Sequence, residues 1–334
     1  MNGAVQRVAV IGAGAWGTAL AIAVHRAGRA VTLWARHPAL AQTLNTRHEN
    51  PDYLPEARLE PAIRATAEAA EAAAADVLLF AVPAQHLRTI AGGFAAVLPP
   101  DKPLVVCAKG IERGSGALMT QVLAEALPGR PCAVLSGPTF AGEVARGLPA
   151  AVTLAAADPA LGAALVTALG SRTFRPYLSD DPLGAQIGGA VKNVIAIACG
   201  IVAGRRMGAN AGAALITRGL AEIARLGQAA GGRRETFMGL SGLGDLTLTC
   251  TNAQSRNFAL GQALGAGETL AQALAGRRTV AEGAQTAAAT VALAAQHKIE
   301  VPISAGIAAI LEHGAGIDET IAALLARPFT AETF

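Results

Sequence analysis

Short apolar runs recur through the first half of the chain, each followed by a stretch with helical character. The runs read as strands: RVAVIG (7–12), AVTLWAR (30–36), DVLLFAVP (76–83), PLVVCAKG (103–110), CAVLSGP (132–138) and AAVTLAA (150–156). Helix candidates fill 15–27, 38–47, 66–74, 84–97, 115–126 and 158–169. A strand that is apolar at nearly every position is buried on both faces, as in a parallel sheet covered by helices. Strand–helix–strand repetition therefore predicts a doubly wound, mostly parallel α/β sheet. From about residue 180 the strand signal stops, and glycine-punctuated helical stretches take over. The turn Asp180–Asp181–Pro182 is the expected boundary, dividing the chain into 1–180 and an all-α part, 181–334.

With 334 residues the chain can bury two cores, and 52% hydrophobic against 15% charged residues excludes a disordered protein. The net charge of +3 is too small and scattered to argue for nucleic acid or an anionic membrane. Of 27 basic residues only Lys102, Lys109, Lys192 and Lys298 are lysines. Arg keeps its proton near neutral pH, whereas a desolvated Lys releases one. Lys109 and Lys192 adjoin apolar runs, where solubility does not explain them. Cys107, Cys132, Cys199 and Cys250 lie far apart with no CxxC pair. That favours reduced thiols and a cytoplasmic location over a disulfide scaffold or zinc site. The six His are dispersed, and no metal is expected. The uncharged stretch Val8–Val24 is broken by Gly12, Gly14 and Gly17, which argues against a signal peptide or span. No other stretch has the ~20 uninterrupted apolar residues a span needs.

GAGAWG (12–17) fits G-x-G-x-x-G, after a strand and at the start of a helix. In that setting Gly12 allows the tight turn, Gly14 the approach of a pyrophosphate, and Gly17 close helix–strand packing, with the helix N-terminus facing the anion. The second strand ends in Trp34-Ala35-Arg36-His37, without the carboxylate that would hold a ribose 2′-hydroxyl. Arg36 can pair with a 2′-phosphate, which argues for NADP(H), with NAD(H) possible; an ordinary surface Arg is the alternative.

GGAVKNVIAIACG (188–200) reads as a buried helix that carries a lysine. At helical spacing Lys192 shares a face with Ile195, Ala196 and Cys199. An unpaired buried charge is strongly unfavourable, so Lys192 either snorkels to water or sits where something reacts. Asp245, in the glycine-rich turn GLGDL, is its candidate carboxylate partner or, alternatively, a helix N-cap.

GAGAWGTALA (12–21), AKGIE (108–112), SGPTFAGE (136–143), GGAVKNVIAI (188–197), ALITRGLAE (214–222), GLGDLTLTCT (242–251) and QSRNF (254–258) together resemble the bacterial NAD(P)-dependent glycerol-3-phosphate dehydrogenases. The resemblance runs from about residue 7 to 327. It implies an N-terminal Rossmann domain and a C-terminal domain like that of 6-phosphogluconate dehydrogenase. It also implies interconversion of dihydroxyacetone phosphate and sn-glycerol 3-phosphate, supplying phospholipid synthesis, in a homodimer.

Position by position, the resemblance implies Lys192 as proton donor and acceptor and Lys109 as a substrate lysine near the nicotinamide, with Asp245 the candidate carboxylate beside Lys192. Gly137, Thr139, Ser255, Arg256 and Asn257 match substrate positions, although Ser255–Asn257 read alone is an ordinary helix cap. Gly12, Gly14, Ala15, Trp16, Gly17, Arg36, His37, Lys109, Ala141, Arg256, Val280 and Glu282 match cofactor positions. Two departures stand out: Ala15 where relatives often have Ser, and Arg205–Arg206 in a loop expected to be less charged. Another two-domain hydroxyacid or 6-phosphogluconate-type dehydrogenase is the alternative enzyme. A non-catalytic NADP(H) sensor is the alternative from another class.

Overall fold

The computed structural model describes residues 5–275, 281–329 and 331. Its contacts divide it into two units. The first runs to Ala108 and resumes over Met119–Pro182; the second holds Lys109–Leu118 and the chain from Leu183 onward.

In the first unit the order is β1 (Arg7–Ile11), α1 (Ala15–Arg26), β2 (Ala30–Trp34), α2 (Pro38–Arg47), β3 (Glu49–Asn50), β4 (Leu54–Arg58), β5 (Arg64–Thr66), α3 (Ala69–Ala73), β6 (Val77–Phe80), α4 (Leu87–Gly92), β7 (Leu104–Val106), α5 (Met119–Ala126), β8 (Cys132–Ser136), α6 (Ala141–Arg146), β9 (Ala150–Ala156), α7 (Pro159–Leu169) and β10 (Phe174–Ser179). Eight strands form one sheet in the order β10-β9-β8-β7-β6-β1-β2-β5, and β3 pairs with β4 in a hairpin. Every pairing in the large sheet is parallel except β8 with β9. This is the mostly parallel, helix-covered sheet that the apolar runs predict. Val8, Val10, Leu79, Val105 and Leu154 are buried in its core. The strand order reverses between β1 and β6, and the crevice where open sheets of this kind take ligands lies outside the carboxyl ends of those strands.

The edges escape the sequence reading. β10 (FRPYLS) carries Pro176 and leaves Tyr177 and Leu178 half exposed. An edge strand tolerates both, and neither looks like a buried run. β5 takes the start of the helix expected over 66–74, leaving α3 only Ala69–Ala73. The helix expected over 84–97 opens as a single 3₁₀ turn at Ala84–His86 and ends as α4 at Gly92.

The second unit contains α8 (Pro182–Gly204), α9 (Ala209–Ala229), α10 (Arg234–Met238), α11 (Asp245–Cys250), α12 (Arg256–Gly265), α13 (Leu270–Leu274), α14 (Glu282–Gln296), α15 (Pro302–His313) and α16 (Ile317–Leu325). Lys109–Leu118 joins it, closed by an antiparallel bridge between Ile111 and Leu118. Both side chains are buried in the helical core, which is why the segment packs here and α5 begins only at Met119. The segment therefore lies on the helical side of a division drawn in the sequence at residue 180.

α8 is buried on all sides from Gly184 to Ile201. Among the described residues it alone is long and apolar enough to cross a membrane, a length the sequence reading did not credit to it. Its most apolar window is 83% buried within the protein, as for a core helix. It crosses α12 almost backbone to backbone: a Cβ on Gly200 would sit 2.1 Å from Phe258 O, and one on Gly261 2.0 Å from Ile197 O. Beyond α8, Arg205 donates to Asp318 at 3.0 Å, giving one of the two unexpected loop arginines a structural partner on α16.

Candidate active site

Lys192 lies in the middle of α8 with 6% of its surface exposed. It does not snorkel: its ammonium donates to Asp245 Oδ1 and, at 2.8 Å, to the Thr249 hydroxyl. Asp245 is 1% exposed, and its other oxygen accepts from Lys109 Nζ at 2.6 Å. One buried carboxylate thus spans two ammonium groups. A short π-helical turn, Leu240–Gly244, runs into α11 and sets Asp245 at its first residue. Gly244 occupies the N-cap position and Asp245 is the first helical residue, so Asp245 is not the N-cap of α11. Thr249 follows one helical turn later on the same face. Its hydroxyl donates to Asp245 O at 2.6 Å, which leaves a lone pair for Lys192.

Burial is the dominant influence on Lys192 and pushes its pKa down to about 8; Asp245 opposes the shift and Lys109 adds to it. Cys250, at the end of α11, is pushed well up, first by a hydrogen bond with Cys199 and then by burial. Such a thiol stays protonated and is no nucleophile.

Asn193 and Asn257 extend the cluster. Asn257 Nδ2 donates to Asn193 Oδ1 at 3.0 Å, and Asn257 Oδ1 accepts from Gly283 N at 2.9 Å. Asn257 therefore ties the residue after Lys192 to the first turn of α14, where Glu282 lies. Ser255 is buried and caps α12, accepting from Phe258 N at 3.2 Å; Arg256 is exposed beside it. Val280 lies outside the described residues.

The nucleotide-side candidates belong to the first unit. Gly12 adopts φ +112°, where a Cβ would meet Ala81 O at 2.8 Å, and a Cβ on Gly17 would sit 1.8 Å from Gly12 O. A Cβ on Gly14 would meet nothing within 4 Å, so this part of the loop faces open space. Ala15 and Trp16 follow at the N-terminus of α1, and the Trp16 indole N–H is buried without an acceptor among the described residues. An open cradle and a helix N-terminus fit a dinucleotide pyrophosphate. Arg36 and His37 are exposed beyond β2, the guanidinium 3.2 Å from His37 Nε2. Gly137 has φ +149°, and its carbonyl accepts from the Thr139 hydroxyl at 3.2 Å; Ala141 begins α6.

Thr249 was legible as the residue four positions after Asp245, but nothing in the sequence singled it out. Asn50, whose side-chain amide donates to Ala13 O inside the glycine loop at 2.9 Å, had no local signal at all.

A family profile described as the N-terminus of NAD-dependent glycerol-3-phosphate dehydrogenase matches residues 7–162, and its C-terminal counterpart matches 181–322. A glycerol-3-phosphate dehydrogenase (NAD(P)+) of Rhodospirillum rubrum is 58% identical over 99% of this chain and 95% of its own. One from Parvibaculum lavamentivorans is 55% identical over the full length of both. The crystal structure of glycerol-3-phosphate dehydrogenase from Coxiella burnetii superposes with a TM-score of 0.92 at 36% identity, covering 96% of this chain and 99% of that one. The chain belongs to the NAD-dependent glycerol-3-phosphate dehydrogenase family.

Proposed function

We propose that this protein is an oxidoreductase that interconverts dihydroxyacetone phosphate and sn-glycerol 3-phosphate. The reading rests on the buried pair Lys192–Asp245 with the partly buried Lys109 on the same carboxylate, together with family membership. Two ammoniums and one carboxylate carry a net charge of +1, which suits an anionic substrate and a carbonyl that becomes an alkoxide. The bound nicotinamide supplies the hydride in one direction and accepts it in the other.

Lys192 gives its proton to the developing alkoxide, and in the reverse direction takes the proton of the hydroxyl. A pKa of about 8 suits both roles near neutral pH. Lys109 polarises the carbonyl. Asp245 holds the two ammoniums at a fixed separation, and Thr249 orients the Lys192 donor. Ser255, Arg256 and Asn257 serve the phosphate end, with Gly137 and Thr139 as further substrate contacts. Asn257 also positions Asn193.

In this reading residues 1–180, apart from Lys109–Leu118, form the dinucleotide-binding domain, and 181–334 with that segment form the substrate domain. Gly12, Gly14, Ala15, Trp16 and Gly17 hold the pyrophosphate, and Arg36 with His37 reads a 2′-phosphate. Ala141, Lys109, Arg256 and Glu282 complete the cofactor contacts. NADPH is the preferred reductant and NADH a second one. The enzyme works as a cytoplasmic homodimer that supplies glycerol 3-phosphate to phospholipid synthesis.

The test is the loss of NADPH absorbance on adding dihydroxyacetone phosphate, for the wild type and Lys192→Ala, with NADH alongside. Turnover in the wild type, lost in a variant that still binds NADPH, supports the reading. A wild type that binds NADPH and leaves the ketone unreduced overturns it.

A further inference from the structure

Asn50 is 0% exposed on the short strand β3, far in the chain from the GAGAWG loop, yet its side chain reaches into that loop. Its Nδ2 donates to Ala13 O at 2.9 Å and to Thr18 Oγ1 at 2.8 Å. Ala13 lies inside the loop, and Thr18 is buried in the first turns of α1. One amide thus staples the turn to the helix it opens. Its Oδ1 is buried with no partner among the described residues. Turning the amide over would set that oxygen against Ala13 O, acceptor against acceptor, so the donor must face the loop. A buried polar group with half its capacity unmet is unfavourable, and a small apolar residue would avoid that cost.

The carbonyl it holds matters because a peptide group is planar and trans. The C=O of Ala13 and the N–H of Gly14 belong to one peptide and point in opposite directions. Fixing the carbonyl toward Asn50 turns the Gly14 N–H away from it, toward the outer side of the loop. Gly14 is the N-cap of α1, and its missing Cβ leaves open space. The bond to Thr18 holds the first turn of α1 against the same anchor, so the N–H groups at the helix start keep their aim. Glycine gives the loop many conformations, and Asn50 selects one.

The geometry points to Asn50 as a positioning residue for nucleotide binding, one that pre-organises the pyrophosphate-binding amides without touching the cofactor. It rests on the dinucleotide-binding part of the proposed function and on no feature of the ketone substrate. Preorganisation raises affinity by removing an ordering cost at the moment of binding.

The test is direct NADPH binding, read by cofactor fluorescence, for wild type, Asn50→Ala, Thr18→Val and Thr18→Ser. Hydrogen exchange of residues 12–18 in the cofactor-free protein is measured in parallel. Asn50→Ala is expected to weaken NADPH binding about ten- to a hundredfold and to speed exchange in the loop, with the KM for the ketone unchanged at saturating NADPH. Thr18→Val is expected to weaken binding by a smaller factor, and Thr18→Ser, which keeps the hydroxyl, to recover it. A folded Asn50→Ala protein with lowered Tm but wild-type NADPH affinity would falsify the proposal and leave Asn50 a purely structural residue. If Asn50→Ala does not fold, equal NADPH affinity in Thr18→Val and Thr18→Ser overturns it. A wild type that binds NADPH, responds to these substitutions as expected, and fails to reduce dihydroxyacetone phosphate supports the role of Asn50 while removing the substrate assignment.

Discussion

Lys192 and Asp245, 53 residues apart in the chain, form an ion pair between α8 and α11 in which both side chains are buried. Burial holds the pKa of Lys192 near 8, and the Asp245 charge keeps it from falling further. In the proposed mechanism reduction needs the Lys192 ammonium and oxidation its free amine. The kcat/KM for ketone reduction is therefore expected to fall as pH rises through about 8, and that for alcohol oxidation to rise through the same region. Asp245→Asn removes the group that raises the pKa, so the limb moves to lower pH. Lys192→Ala is expected to lose about 10²–10⁴ in kcat. Initial-rate profiles in both directions check this, and parallel slopes in the two directions contradict it.

Thr249 accepts from Lys192 at 2.8 Å while donating to Asp245 O. Thr249→Val is nearly isosteric and removes the acceptor. It is expected to lower kcat about tenfold, with cofactor affinity retained. Thr249→Ser restores the hydroxyl and with it most of the rate. Equal rates for the Val and Ser variants would show that the hydroxyl does not aim the lysine.

The close approach of α8 and α12 should tolerate no side chain at Gly261. A Cβ there falls 2.0 Å from Ile197 O, a backbone atom that cannot swing aside. Gly261→Ala is expected to cost about 2–4 kcal/mol and to displace α8, which carries Lys192. Denaturant unfolding measures the first effect, and kcat at low temperature the second. A variant as stable as the wild type would mean that the helices part at little cost.

Glu222, 1% exposed on α9, accepts from Ile303 N and Ser304 N, each at 2.9 Å, and from the Ser304 hydroxyl at 2.6 Å, so it caps α15. Burial raises its pKa above 4.5, against those hydrogen bonds and Arg225. A raised folded-state value means the folded protein keeps a proton that the unfolded chain has released. This contribution to stability is complete below pH 4.5 and is lost as pH rises through the folded value. Glu222→Gln is expected to flatten the dependence of Tm on pH over that window. It should also lower Tm at neutral pH, because the amide nitrogen meets a backbone N–H, at about 1–3 kcal/mol. A Tm–pH curve parallel to that of the wild type would place the titration elsewhere.

The parallel strands, the glycine loop after β1 and the lysine in α8 could be read directly from the chain. Each depends on neighbours within a few residues: a continuous apolar run, a turn that needs glycine, a charge within helical spacing of Ile195 and Cys199. Edge strands β5 and β10 were not legible, because a strand paired on one side carries no buried pattern. The partners of Lys192 were not legible as a set either. Asp245 stands 136 residues from Lys109 and 53 from Lys192, and Asn50 stands 37 from the carbonyl it holds. Asn257 shows the same limit: nothing in its motif foretells that Nδ2 donates to Asn193 and Oδ1 accepts from Gly283 N. Backbone periodicity and turn chemistry are local and survive in one dimension. Which polar groups leave water together, and so which charges shift and which amides are aimed, is decided only when distant elements pack.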